Sequence, residues 1–167
     1  MPEPQTRART AALRLQTATE EMIAEVQQLP PDLITWKPAD DVWSVMEILC
    51  HVQEFVPYWA GQISQIVEHP EQTWGRDHTN TDRLAAVERA AERTLPDVQH
   101  AIRNAARDAA ERIGHLSDAD LDVEATSKNP RWGVKPAHFI LNHLLVQHVE
   151  KHIGQIRRNV SQYPQGR

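Results

Sequence analysis

The strongest helix signal in the chain is residues 43–66, WSVMEILCHVQEFVPYWAGQISQI. Ser44 and Glu47 have the spacing of a capping box, in which each side chain bonds a backbone amide that the first turn of a helix leaves without a partner. Apolar residues then recur at helical spacing, at Ile48, Val52, Phe55, Trp59, Ile63 and Ile66. The pattern stays in phase across Pro57, where we expect a kink. The stretch predicts a helix over about residues 44–68 with one buried face.

The same periodicity predicts three more helices, at about residues 6–28, 82–113 and 136–160. Two prolines at 30–31 end the first of these, the next crosses Pro96, and Pro136 suits the first turn of the last. The connections show no alternating run of strand length, and we expect them to be irregular apart from one short turn at 117–120. Four amphipathic helices bury their apolar faces most simply in an all-α four-helix bundle. No composition break divides the chain, so we predict one domain over residues 1–167.

The composition excludes several classes of partner. The chain has 18 Lys and Arg against 23 Asp and Glu, a net charge of −5 with histidine neutral, and it lacks a basic run, so we expect no nucleic-acid partner. No stretch of about 18 apolar residues occurs, and the N-terminus lacks the basic and apolar regions of a secretion signal. We therefore expect a cytoplasmic protein without membrane contact. The single cysteine, Cys50, cannot form an internal disulfide, and we expect it to be a small buried side chain.

Several catalytic motifs are absent from the sequence. The six glycines are scattered, which excludes a glycine-rich phosphate loop. No glutamate precedes a histidine by three residues, so the carboxylate di-iron site found in many bundles is excluded as well. Cys50 and His51 are neighbours on one predicted helix and point about 100° apart, which argues against a cysteine–histidine nucleophile.

Histidine is the unusual feature of the composition, because four of the nine lie between His138 and His152. His148 and His152 are four residues apart, so their side chains are offset by only about 40° and lie one turn apart on the apolar face of the helix. His143 is turned about 180° from His152 and should face outward. His138 is almost four turns from His152, too far to share a small site.

The second predicted helix offers a third histidine on its apolar face, His51. Three imidazoles buried without partners would cost about 1–3 kcal/mol for each unsatisfied nitrogen, and a shared cation removes much of that cost. Three nitrogen ligands with an open fourth position are typical of a catalytic zinc-type site. The spacing alone leaves open that each is an ordinary core histidine with its own partner. We expect the four remaining histidines at the surface: His69, His78, His100 and His115.

Two segments of the chain resemble motifs of one protein family. Residues 43–51, WSVMEILCH, look like the Trp-Ser-x-x-Glu-x-x-x-His segment of the DinB/YfiT-like superfamily, and residues 148–156, HVEKHIGQI, look like its closing His-x-x-x-His-x-x-Gln-Ile segment. The resemblance implies a bundle of up-down-down-up topology, commonly a homodimer, with a divalent metal ion such as zinc or nickel on three histidines. Carried over position by position, these ligands are His51, His148 and His152. Lys151 stands where the family often has a further histidine.

The resemblance leaves the reaction open, because the activities of this family vary more than its fold. Some members resemble thiol S-transferases or isomerases that use low-molecular-weight thiols, and others are described as metal-dependent hydrolases or stress-inducible proteins. Our leading hypothesis is a metalloenzyme for a small-molecule substrate, in which the metal lowers the pKa of a water or thiol. Glu47 and Gln155 are candidates to orient the imidazoles. The alternatives are a non-enzymatic stress-response or small-ligand-binding protein, and a structural interaction module whose three histidines lie apart.

Overall fold

The computed structural model describes residues 5–76 and 80–164. Four long helical stretches form the bundle: α1 (Arg7–Gln27), α3 (Val45–Glu68), α5 (Leu95–Gly114), and a last stretch made of α7 (Ala137–Phe139), a π-helical segment (Ile140–Val146) and α8 (Gln147–Gln162). Short elements lie in the connections: α2 (Pro31–Thr35), α4 (Thr81–Glu88), a 3₁₀ turn (Ala90–Glu92), α6 (Asp118–Leu121), β1 (Glu124–Thr126) and β2 (Val134–Pro136).

Helices α1 and α3 begin and end within one residue of the predicted ranges. The capping box of α3 is present, because the Ser44 hydroxyl accepts the Glu47 amide at 3.1 Å and Oε1 of Glu47 accepts the Ser44 amide at 3.0 Å. The helix passes through Pro57 without ending. Local sequence signals therefore determine where this helix starts.

The single helix predicted over 82–113 is wrong in its first half. Helix α4 ends at Glu88, a 3₁₀ turn follows, and the backbone is extended at Arg93 and Thr94 before α5 begins. The Thr94 hydroxyl accepts the Asp97 amide at 3.4 Å, and Pro96 occupies the second position of α5, where its missing N–H removes no helical hydrogen bond. A capping residue followed by proline starts a new helix where the apolar periodicity predicted continuity.

The expectation of irregular connections is also wrong in two places. Residues 31–42 contain α2, and residues 124–136 contain a short antiparallel hairpin in which Ala125 of β1 lies opposite Lys135 of β2. The short turn expected at 117–120 is present as α6. Trp74 joins this hairpin, since its amide donates to the Thr126 carbonyl at 3.0 Å. Strands of three residues are too short for an alternating pattern to be visible in a sequence.

The long helical stretches run up, down, down and up. Gln99 near the start of α5 donates to the Ile23 carbonyl near the end of α1, so α1 and α5 are antiparallel. Arg93, just before α5, donates to Gln53 in the first half of α3, so α3 and α5 are parallel. Parallel neighbours need a long return connection, which residues 69–94 provide.

Helix α8 lies antiparallel to α3 and parallel to α1. Near the end of α8, the buried amide of Asn159 donates to the carbonyl of Trp43, just before α3, at 2.8 Å. Arg157 donates to Glu25 near the end of α1, at 2.7–3.0 Å. The second half of the last helical stretch is thereby held alongside the first half of α3.

The core fills the space between these helical stretches, and Cys50 lies in it at 1% exposure, as predicted. Its largest fully buried side chains include Leu15, Met22, Phe55, Ile63, Trp74 and Ile102. None of the helices within 5–76 and 80–164 has the length and apolar character needed to cross a membrane.

Candidate metal centre

Three histidines lie together between α3 and α8: His51, His148 and His152. One ring nitrogen of each lies within 4.8 Å of a ring nitrogen of the others. The ring centroids are 5.3 Å apart for His51 and His148, 4.9 Å for His51 and His152, and 4.8 Å for His148 and His152. The structure thus brings together the residues selected by helical spacing, and the interaction module with separated histidines is excluded.

Hydrogen bonds fix the orientation of two of these rings. Nδ1 of His148 donates to the carbonyl of Leu144 at 3.1 Å, and Nδ1 of His152 donates to Oε1 of Gln155 at 2.8 Å. A neutral imidazole that donates through Nδ1 keeps its lone pair on Nε2. Both rings of α8 therefore have an Nε2 that can accept a proton or a metal ion.

The two candidate orienting residues differ in the structure. Gln155 contacts His152, as described above, and lies one turn beyond it. Glu47 instead completes the capping box of α3, and its carboxylate lies 3.4 Å from the Lys37 ammonium. Gln155 is therefore the side chain that orients a histidine of the cluster.

Two ring nitrogens of the cluster are buried without a hydrogen-bond partner in the described part of the chain, Nδ1 of His51 and Nε2 of His152. His51 and His152 are only 2% and 7% exposed. A buried polar atom left unsatisfied costs about 1–3 kcal/mol. Imidazole nitrogens are ligands that zinc, nickel, iron and copper all accept, so this donor set fits a divalent transition-metal ion.

Burial keeps the three imidazoles neutral. It lowers the pKa of His51 to about 2 and that of His148 to about 3, and it lowers the pKa of His152 as well. The charge of a protonated His152 disfavours a second proton on His51 or His148, and cationic Arg83 acts in the same direction on all three. Neutral imidazole is the form that binds a metal, so the cluster is available for binding at neutral pH.

Aromatic side chains enclose the cluster. The ring of Phe55 stacks on His148 with centroids 3.9 Å apart and an angle of 9° between the planes. The ring of Trp43 lies 5.0 Å from His51 and 6.5 Å from His152. These contacts restrict the imidazole orientations and exclude water from one side of the cluster.

A cavity of about 290 Å³ reaches His51 and His148 from the surface. Its walls are Phe55, Trp59, Trp132 and Leu144, and its polar lining residues are Arg76, Arg83, Asn129 and Arg131. The polar residues come from the 69–80 connection, α4 and the loop of the hairpin. The sequence did not single out these four residues, because no local pattern relates three separate connections to the histidines.

The other described histidines lie away from the cluster. His143 is exposed, as predicted, and His138 is half-buried with Nε2 4.0 Å from the Asp122 carboxylate. The surface positions predicted for His69, His100 and His115 are confirmed, and His78 lies outside the described residues.

The fold and the cluster together define a class: a four-helix bundle of up-down-down-up topology with three histidines converging between two of its helices. A family model for the DinB superfamily matches residues 14–156. The chain belongs to the DinB superfamily.

A comparison with solved structures shows the same fold. YfiT from Bacillus subtilis, described as a probable metal-dependent hydrolase with an unusual four-helix bundle topology, superposes with a TM-score of 0.78 at 10% sequence identity. The match covers 97% of this chain and 91% of that one. A search of curated proteins finds no significant sequence match. The structural likeness therefore supports the architecture, and the chemistry must be argued from the site.

Proposed function

We propose that the protein is a metal-dependent enzyme for a small-molecule substrate, with a divalent metal ion held by His51, His148 and His152. The observation that supports this proposal is the convergence of three imidazoles, two buried and one half-buried, two of which have a nitrogen without a partner in the described structure. Three protein ligands leave a coordination position open, as in catalytic rather than structural sites. Zinc and nickel are the ions we propose first.

The chain's own residues prepare the site in three ways. The Leu144 carbonyl and the Gln155 amide oxygen hold two imidazoles in the tautomer with a free Nε2. Phe55 and Trp43 exclude water from the side of the cluster that they cover. The cavity beside His51 and His148 admits a small molecule.

The described residues that line the cavity include no carboxylate, lysine or thiol that could serve as a base or a nucleophile. A bound metal ion would supply that function by acting as a Lewis acid and lowering the pKa of a water or thiol. We therefore propose water or a low-molecular-weight thiol as the nucleophile, which makes the reaction a hydrolysis or a thiol transfer.

The metal content of purified protein tests the metal centre. We expect about one divalent ion per chain in protein prepared in metal-replete medium without chelators, and none in His51→Ala, since two imidazoles on one helix hold an ion far more weakly than three. Wild-type protein without an ion under these conditions would contradict the proposal. Sedimentation of the same samples tests the homodimer expected from the family.

Turnover assays separate an enzyme from a binding protein. The metal-loaded protein is offered esters, amides, and thiols paired with electrophiles, and His51→Ala is the matched control. We expect turnover of at least one class that disappears with the metal. Binding of a small molecule with no turnover in any class would favour the non-enzymatic alternative.

A further inference from the structure

The mouth of the cavity beside His51 and His148 is cationic, although the whole chain carries a net charge of −5. Arg76, Arg83 and Arg131 contribute to it, and its described lining residues include no carboxylate. A concave site lined by one sign of charge focuses the field and attracts ions of the opposite sign. The mouth therefore favours negative charge where the protein as a whole does not.

Arg76 is already paired. Both of its terminal nitrogens contact the Glu54 carboxylate, with Nη2 2.7 Å from Oε2, and its guanidinium lies 3.9 Å from the centroid of the Tyr58 ring. The side chain is only 8% exposed. Its charge is balanced by Glu54, so Arg76 is a fixed part of the wall.

Arg83 and Arg131 are not paired in this way. Across residues 5–76 and 80–164, no carboxylate lies within ion-pairing distance of either guanidinium. The guanidinium of Arg131 lies 4.7 Å from the centroid of the Trp132 ring, a contact that leaves its N–H groups available. With respect to the described residues, both therefore keep donors for a ligand.

The remaining lining indicates what kind of molecule enters. Phe55, Trp59, Trp132 and Leu144 are apolar, and Asn129 adds one amide. Small-molecule sites commonly combine such walls with a few polar groups that fix orientation. A guanidinium presents a planar set of donors that matches carboxylate and phosphate oxygens.

We propose that Arg83 and Arg131 bind an anionic oxygen group, a carboxylate or a phosphate, of a small organic molecule whose apolar part lies against Trp132 and Leu144. The inference rests on the proposed function, because this molecule is the substrate presented to the three histidines. It narrows the substrate class to small anions with an apolar part.

The binding of matched probes, measured by titration calorimetry, tests this proposal. Benzoate and benzamide share a shape and differ in charge, and phenyl phosphate distinguishes phosphate from carboxylate as the preferred group. The proteins are wild type, the double variant Arg83→Gln/Arg131→Gln, and Arg158→Gln, which removes an exposed α8 arginine outside the cavity lining. Each is measured as purified and after chelator treatment, so that binding to the arginines is separated from binding to a metal ion.

We expect chelator-treated wild type to bind benzoate or phenyl phosphate at least about tenfold more tightly than benzamide, and the double variant to lose that preference. Arg158→Gln should bind like wild type, and Arg83→Lys/Arg131→Lys should fall between. Unchanged thermal unfolding of the double variant shows that it is folded. Loss of anion binding with metal content retained distinguishes this result from failure of the metal centre.

Three outcomes in wild type and the double variant would overturn the proposal. They are equal affinity for benzoate, phenyl phosphate and benzamide, anion binding that survives in the double variant, and no anion binding at millimolar concentration in folded wild type. An equal loss in Arg158→Gln would show a general charge effect and would also overturn it. Each outcome is read without reference to turnover.

Discussion

His138 and His143 lie in the first half of the last helical stretch, and His148 and His152 lie in its second half. His143 is exposed with its Nδ1 3.3 Å from the Gln147 side chain, and His138 is half-buried beside Asp122. His148 and His152 face His51 across the seam between α8 and α3. The two pairs differ in what each helix face meets. The first pair lies near the surface, where it meets Asp122, Gln147 and the partly buried rings of Trp132 and Phe139. The second pair faces a helix that carries another histidine.

This difference shows that a high density of histidines does not by itself make a site. Along one continuous stretch, the same residue type is solvated at one position and deprived of partners at another. Desolvation lowers the pKa of both inner histidines and leaves Nε2 of His152 without a partner in the described part of the chain, so the inner pair gains from a cation shared with His51.

The largest expected effect compares His148→Ala with His143→Ala. Because loss of a residue that merely orients a ligand typically costs about 10–100-fold in metal affinity, loss of a ligand should cost more than about 100-fold. We expect His148→Ala to show this loss in a competition titration with a chromogenic chelator. His143→Ala should bind like wild type, and similar losses in both variants would remove the distinction between the pairs.

A second prediction concerns the stability of metal-free protein at acidic pH. The folded-state pKa values of His51 and His148 are about 2 and about 3, below the unfolded value of about 6.5, so the folded state binds fewer protons. Above about pH 6.5 both histidines are neutral in the folded and in the unfolded state, so their burial costs no stability through protonation. As the pH falls below about 6.5, each of the two histidines should lower the free energy of unfolding by about 1.4 kcal/mol per pH unit, until the pH reaches its pKa in the folded state.

Urea unfolding of chelator-treated protein at several values between about pH 7 and about pH 5 measures this slope. Lys151 and Arg83 also disfavour a proton on His148, and Arg76 and Arg83 do so on His51, so their charges are part of the effect. His148→Gln should reduce the slope of unfolding free energy against pH by the contribution of one histidine. A free energy of unfolding that does not change over this pH range would show that His51 and His148 accept protons in the folded state.

A third prediction compares the two glutamines that contact histidines. Gln155→Leu removes the acceptor of His152 and should weaken metal binding by about 10–100-fold, whereas Gln155→Glu keeps an acceptor and should restore most of it. Gln147→Leu is the matched control, since Gln147 contacts the outer His143. Equal affinities for Gln155→Leu and Gln147→Leu would mean that Gln155 does not position the ligand.

The smallest expected effect is that of His138→Gln. The Nε2–carboxylate distance to Asp122 is 4.0 Å at a site open to water, and such pairs contribute little. We expect a change in unfolding free energy within about 0.5 kcal/mol, measured by urea denaturation at neutral pH. A loss above about 2 kcal/mol would place His138 among the structural histidines.

The sequence predicted the main helices where local signals were strong. The capping box at Ser44 and the proline pair after α1 act within one turn, so they could be read without the fold. The break between α4 and α5 was missed because its apolar residues keep the helical period while the backbone at Thr94 is extended. The β1–β2 hairpin was missed because its three-residue strands depend on Trp74, which is distant in sequence.

The π-helical segment was not predicted either. It lies directly before α8, and the Leu144 carbonyl within it accepts the His148 ring N–H. Segments of this kind are inserted into otherwise regular helices and have no periodicity of their own that a short sequence could show. The hydrogen bond that orients His148 could therefore not be anticipated.

By itself, the sequence determined which histidines share a helix face, because four-residue spacing on a helix is a local property, and it determined the start of the helix that carries His51. Only the tertiary structure decided that α3 and α8 lie antiparallel at a distance where the three rings meet, that Phe55 and Trp43 enclose them, and that Arg83 and Arg131 lie at the mouth. Helical phase depends on neighbouring residues alone, whereas a cavity depends on how separate segments pack, and packing is set by the whole chain.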